Sequence, residues 1–373
     1  QRRCTTQRIP LKRKFWAGNI RIKENYQWRH TPAGKEFRQP LKRPLAIRIK
    51  LDRIPAYPIL GAHNAQLIGA SIREFLQDPK IFVKAQVAAY ERYRPDIIVM
   101  ERDLLMDVEA MGNELKFPED SMCISTKVAL EDKGKLSSLK LADPTKDGRI
   151  PDYLASLAET KKIITDAIVS AVIAGPWTVA IGLRDAERLL RDAMKDPDYV
   201  HELMAFCTQE SIRFGEAVYL LKVGLSFSEA PASCSLISPK IYREFIFPYH
   251  KQIADHFKEK RVGTGLHICG YADPIIEDMV NTGMTNLSID APSDLAKALE
   301  LTRGKAVLIG NINTNLFFSG TRQDMEQAIK KCIALAPDDS GYILSSGCEV
   351  PGIAPPEKVA WFMEIVNELC VKE

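Results

Sequence analysis

Short apolar runs alternate with longer amphipathic stretches through most of the chain. Apolar runs bounded by turn residues read as buried strands, and apolar positions at helical spacing read as one-sided helices. Strands are expected at 54–60, 96–100, 168–174, 223–228, 263–269, 286–290, 306–310 and 342–345. Helices are expected between most of them, at 80–92, 186–221, 239–260, 274–281, 294–302, 322–335 and 355–369. Ser238 precedes Pro239 as a cap before a first-turn proline, and Thr321 precedes the helix at 322. Eight strands alternating with helices predict an α/β fold with a parallel sheet closed as a (β/α)8 TIM barrel. A doubly wound open sheet is the alternative, but no G-x-G-x-x-G follows an early strand. The stretch 104–166 is long and polar and contains Pro118, Pro144 and Pro151. It is read as an insertion after the second strand, lying over the barrel mouth, with room for short strands of its own.

Charge divides this picture in two. The formal balance of +3 hides residues 1–43, where 13 Lys/Arg stand against two Glu for +11, leaving −8 on the rest. A basic N-terminal arm, 1–45, and a catalytic barrel, 46–373, follow. The arm is expected to aid assembly or docking of an acidic protein partner, with no role for nucleic acid. Its Phe15, Trp16, Tyr26 and Trp28 suggest packing on the body or on another subunit, which allows a homodimer. Eight scattered cysteines without a C-x-x-C pair, and no signal-peptide pattern, predict reduced thiols and a cytoplasmic location. No run approaches the ~20 apolar residues of a membrane span, so no membrane partner is expected. Cys4, Cys123, Cys207, Cys234, Cys332 and Cys370 are read as thiols without a task.

Candidate chemistry gathers at strand ends, where such barrels place their catalytic residues. In GLHICG, alternation sends His267 and Cys269 to one face, so both aim at one point. The expected fourth strand ends at Glu229, the sixth at Asp290, the seventh near Asn311 and the eighth at Cys348. Cys348 lies 79 positions beyond Cys269, yet in a closed barrel it faces the same mouth. Each of these residues also has a plain reading as a polar cap of its strand. One imidazole and two thiolates together suit Zn²⁺, with a fourth position left open as in catalytic sites.

The runs GLHICG, SSGCEVPGIAPPEK around Cys348, AGPWTVA (174–180) and SCSLISPKIYREFIFPY (233–249) resemble the uroporphyrinogen decarboxylase superfamily. Within it they look most like the zinc-dependent corrinoid methyltransferase branch, over roughly residues 50–370. The decarboxylase branch holds its substrate with arginines after the first strand, where PILGAHNAQLIGAS (58–71) has none. It carries a tyrosine where this chain has Gly182 and a histidine where it has Cys348; Asp103 alone matches its aspartate. The methyltransferase branch asks for H-x-C and a distant Cys, which His267, Cys269 and Cys348 supply.

The resemblance implies a zinc enzyme that moves a methyl group between a small substrate and cobalt. The substrate would be a thiol, a methyl ether or another methyl carrier. Because the D-x-H-x-x-G run of cobalamin-binding domains is absent, the methylcorrinoid would be presented by a separate corrinoid protein. His267, Cys269 and Cys348 would ligate the metal. Glu229 would be catalytic, filling the open zinc position until substrate displaces it, and Asp103 a second catalytic acid. Asp290 and Asn311 would contact substrate at the mouth, and so would His63, whose other reading is a core or surface histidine. Glu244 is a further candidate ligand, because some methyl-ether-cleaving members are thought to use Glu, Glu and His. His250 and His256 are expected to pack or to face solvent. Two other readings stay open: a decarboxylase-like enzyme of the same fold without zinc, and a non-catalytic binding barrel.

Overall fold

A computed structural model describes residues 54–336 and 341–370, so the basic arm and every role assigned to it lie outside the described residues. The strands in chain order are β1 (Ala56–Ile59), β2 (Ile97–Met100), β3 (Glu114–Lys116), β4 (Ile124–Lys127), β5 (Ile168–Ala174), β6 (Gly224–Ser228), β7 (Thr264–Ile268), β8 (Asn286–Ile289), β9 (Val307–Ile312) and β10 (Tyr342–Glu349). Eight of them form one sheet in the order β1-β10-β9-β8-β7-β6-β5-β2, each pair parallel. The two ends meet where Asp96 N donates to Ala56 O at 3.1 Å and Ala56 N donates to Asp96 Oδ2 at 2.7 Å. The fold is the expected (β/α)8 barrel.

Strands buried on both faces read as nearly unbroken apolar runs, which is why all eight were visible in the sequence. Tyr57, Ile59, Val307, Ile309 and Ile343 fill the lumen. A larger layer, including Phe82, Trp177, Phe214, Phe227 and Phe257, seals the strands against the outer helices. β10 continues to Glu349, so Cys348 lies inside a strand and not beyond it.

The insertion is shorter than 104–166. The antiparallel hairpin β3–β4 lies within it, and a regular barrel helix then runs over Ile150–Ile163. That helix was hidden by its flanking prolines and lysines, yet it is tied to the sheet by Tyr153. The Tyr153 hydroxyl donates to Met100 O at 2.6 Å and accepts from Val172 N at 3.1 Å. The expected helix at 186–221 is two, Ala186–Lys195 and Pro197–Leu220, because Asp196 caps the second and Pro197 cannot continue the first. The helix expected at 239–260 contains a π turn at Tyr242–Ile246, just before Pro248, whose missing N–H interrupts the ladder. Among the described residues, no helix is long and apolar enough to cross a membrane.

Candidate metal centre

The site is built at the C-terminal ends of β7, β8 and β10. His267 is the fourth residue of β7 and Cys269 follows its last residue, so strand alternation turns both inward. Parallel pairing sets His267 opposite Ser288 on β8, and His267 Nδ1 lies 2.9 Å from Ser288 Oγ. In the tautomer that frees Nε2, Nδ1–H donates to Ser288. Nε2 then faces Cys269 Sγ at 2.9 Å, and Cys269 Sγ lies 2.8 Å from Cys348 Sγ. The three ligand atoms all fall within 4.8 Å of one another. Gly347 is required for this approach: a Cβ there would stand 2.5 Å from Asp290 Oδ1 and 2.7 Å from Ala291 N.

The two thiols are hydrogen-bond partners. The hydrogen bond from Cys269, together with His267, lowers Cys348 to about 5, while the same bond and burial push Cys269 far above the ordinary thiol range. A divalent cation held here would be met by two thiolates and a neutral imidazole. Ligand type and number fit Zn²⁺ with one coordination position left over.

The remaining sequence candidates are employed differently. Glu229 follows β6 as expected but turns away from the thiols and is fully buried. Its Oε1 accepts from Trp177 N and His250 Nε2, both at 3.0 Å. Its Oε2 accepts from Thr178 N at 2.8 Å and Thr178 Oγ1 at 2.7 Å. The carboxylate therefore caps the helix Pro176–Arg184, and the phrase AGPWTVA is the socket that receives it. Gly175 makes room, since a Cβ there would meet Glu229 at 2.4 Å. Four donors leave Glu229 no oxygen for a metal, which corrects its expected placeholder role. His250, expected to pack, does so as one of those donors.

Asp103 is also buried, clamped by Arg149 at 2.6 and 3.3 Å and accepting from Leu105 N at 2.9 Å. It holds the segment carrying Arg149 to the end of β2. His63 is a core residue between Tyr93 Oη and Gln66 Nε2, and burial lowers it to about 4, so it stays neutral and does not reach the mouth. Glu244 is exposed on the π turn, apart from the thiols. Asp290 and Asn311 do lie at the mouth, as braces. Asp290 Oδ2 accepts from Gly270 N at 2.9 Å, and Asn311 Nδ2 donates to Ser293 O at 2.9 Å and Asp290 O at 3.2 Å. Gly270, at φ +63°, thus turns the chain sharply after Cys269.

Two residues escaped the sequence reading. Ser288 is an ordinary small residue until the β7–β8 register places it against His267. Glu101, directly after β2, sits two residues before the aspartate singled out by resemblance. Burial and the Glu349, Cys348 and Asp103 charges push its carboxyl well above the usual range.

An imidazole and two thiols converging at the mouth of a (β/α)8 barrel form a cluster that could hold a metal ion. The uroporphyrinogen decarboxylase (URO-D) family pattern matches residues 45–369, and the chain belongs to that family. Methylcobamide:CoM methyltransferase MtbA of Methanosarcina mazei is 25% identical over 347 residues, spanning 90% of this chain and 97% of the relative. A uroporphyrinogen decarboxylase of Prochlorococcus marinus (strain MIT 9312) is also 25% identical, over 305 residues, spanning 79% and 86%. A solved methyltransferase from Methanosarcina mazei superposes with TM-score 0.78 at 23% identity, covering 85% of this chain and 94% of its own. Overall identity does not separate the two activities, so the reading turns on the site residues.

Proposed function

We propose that this protein is a zinc-dependent methyltransferase moving a methyl group between a small substrate and the cobalt of a separate corrinoid protein. The observation that carries the reading is the convergence of His267 Nε2, Cys269 Sγ and Cys348 Sγ within 4.8 Å at the barrel mouth. The methylcobamide:CoM methyltransferase relatives support the corrinoid and the thiol. Held by these three residues, zinc supplies a cation that keeps a substrate thiol deprotonated near neutral pH or draws electron density from a methyl ether oxygen. The chain's own groups prepare that chemistry. Cys269 and Cys348 would meet the metal as thiolates, and Ser288 fixes the His267 ring. Asp290 and Asn311 hold the turn that carries Cys269. His267, Cys269 and Cys348 are each partly exposed at the strand ends, the face we assign to the corrinoid partner.

The decarboxylase reading is the second, because decarboxylases are among the relatives. It is disfavoured by the absence of arginine from the loop after β1, whose His63 is buried. Elemental analysis and transfer assays test the proposal together. One zinc per chain and methyl transfer from methylcobalamin to a thiol are expected, both lost in Cys348→Ser with the fold intact. A Cys348→Ser protein that binds zinc and turns over like the parent sinks the ligand assignment.

A further inference from the structure

The sheet order begins at β1 and ends at β2, and these two edges form no ladder with each other among the described residues. The Ala56–Asp96 pair of hydrogen bonds joins them at their N-terminal ends. Further along, the seam holds a cavity lined by Pro58 of β1, by Ile97, Ile98 and Val99 of β2, and by Asn64 and Gln86 from the helices outside. The space open to the centre of a water molecule is ≈ 10 Å³, close to what one water needs. Asn64 lies in the helix His63–Gln66 after β1, and Gln86 midway along the helix Pro79–Tyr93. Each is 1% exposed. They share one hydrogen bond, from Asn64 Nδ2 to Gln86 Oε1 at 3.1 Å. Asn64 Oδ1 and Gln86 Nε2 meet no partner among the described residues, so one acceptor and one donor are left over inside the barrel wall. Either is costly to bury unpaired. Turning both amides over keeps the bond between them and leaves Asn64 Nδ2 and Gln86 Oε1 instead. The remainder is one donor and one acceptor in either assignment.

We infer that this seam is a binding site for a single water molecule, which donates to the free amide oxygen and accepts from the free amide N–H. It ties the segment after β1 to the helix Pro79–Tyr93 at the place where the sheet order closes on itself. The two leftover groups select that ligand by their chemistry. A metal cation or an ammonium ion cannot accept from the N–H, and a halide cannot donate to the oxygen. A larger molecule exceeds the space. Water serves both groups at once, and two to four polar partners are the usual coordination of an interior water. The polar pair in an otherwise apolar wall is thereby explained: Asn64 and Gln86 hold each other through one bond and the water through the other two.

A high-resolution crystal structure of the full chain reads the site directly. One solvent peak is expected within about 2.7–3.2 Å of both amides, as ordered as the side chains that hold it. An empty cavity overturns the inference, as do amides rotated so that each donates to the other. In solution, magnetisation transfer from water to the ¹⁵N-labelled side-chain amide of Gln86 is expected with the sign of a water held longer than the tumbling time; its absence counts equally against the site. Gln86→Met keeps the length of the side chain and removes its donors, and is expected to lose the peak because a single polar partner does not retain an interior water. A peak that stays in place in Gln86→Met shows that the amide does not hold it and overturns the assignment. Should that variant fail to fold, the density and the water-to-amide transfer of the parent protein decide.

Discussion

Glu229→Gln separates a capping carboxylate from a metal ligand by a calculable margin. The native carboxylate offers two oxygens to four donors, two of them backbone N–H groups at the start of the helix Pro176–Arg184. An amide keeps one oxygen, so in either orientation one buried N–H faces an NH2 group. Orphaning that donor costs about 1–3 kcal/mol. Losing the charge-assisted character of the remaining bonds, and the anion at the helix N-terminus, costs on the order of another 1–2 kcal/mol. A total of about 2–5 kcal/mol corresponds to a melting temperature lowered by roughly 3–8 °C in a barrel of this size. Because the Glu229 side chain touches none of His267, Cys269 and Cys348, and only its backbone N–H meets His267 O at 2.8 Å, zinc content is expected to stay at one per chain. Thermal denaturation and elemental analysis on the same preparation read both quantities. A variant with the parent's melting temperature and depleted zinc refutes the reasoning and returns Glu229 to the metal.

Ser288→Ala removes the partner of His267 Nδ1 and is expected to weaken zinc binding by about 10–100-fold without unfolding the barrel; competition with a chelating indicator checks it, and parent-like affinity counts against the role. Arg149→Met strands the buried Asp103 carboxylate and is expected to cost about 3–5 kcal/mol in denaturant unfolding, most of it restored by adding Asp103→Asn. Glu210, buried beneath the insertion and accepting from Ala142 N, is pushed up to about 7, mainly by burial. Its folded value lies above the unfolded one of about 4.3, so the native state holds the proton more tightly and stability falls as pH rises from about 4 to about 7. Glu210→Gln keeps an oxygen for Ala142 and is expected to be near neutral at about pH 4 but more stable by about 1–3 kcal/mol at about pH 8. Parallel stability profiles for the two proteins would remove Glu210 as the source.

Local pattern was enough to determine the eight strands, most of the helices and the barrel, because burial on both faces writes strands as apolar runs and amphipathic helices keep their period. Pattern alone also set His267 beside Cys269, since residues i and i+2 of a strand share a face whatever surrounds them. The register between strands is another matter. It places Ser288 against His267, brings Cys348 within 2.8 Å of Cys269 across 79 residues, and turns Glu229 into the helix start at Trp177 instead of toward the thiols. Buried polar groups take whatever partner the packed neighbours offer, so Asp103 met Arg149 and His63 met Tyr93 in the interior. A sequence names a carboxylate or an imidazole; which donors reach it is decided only when distant segments close around it and exclude water.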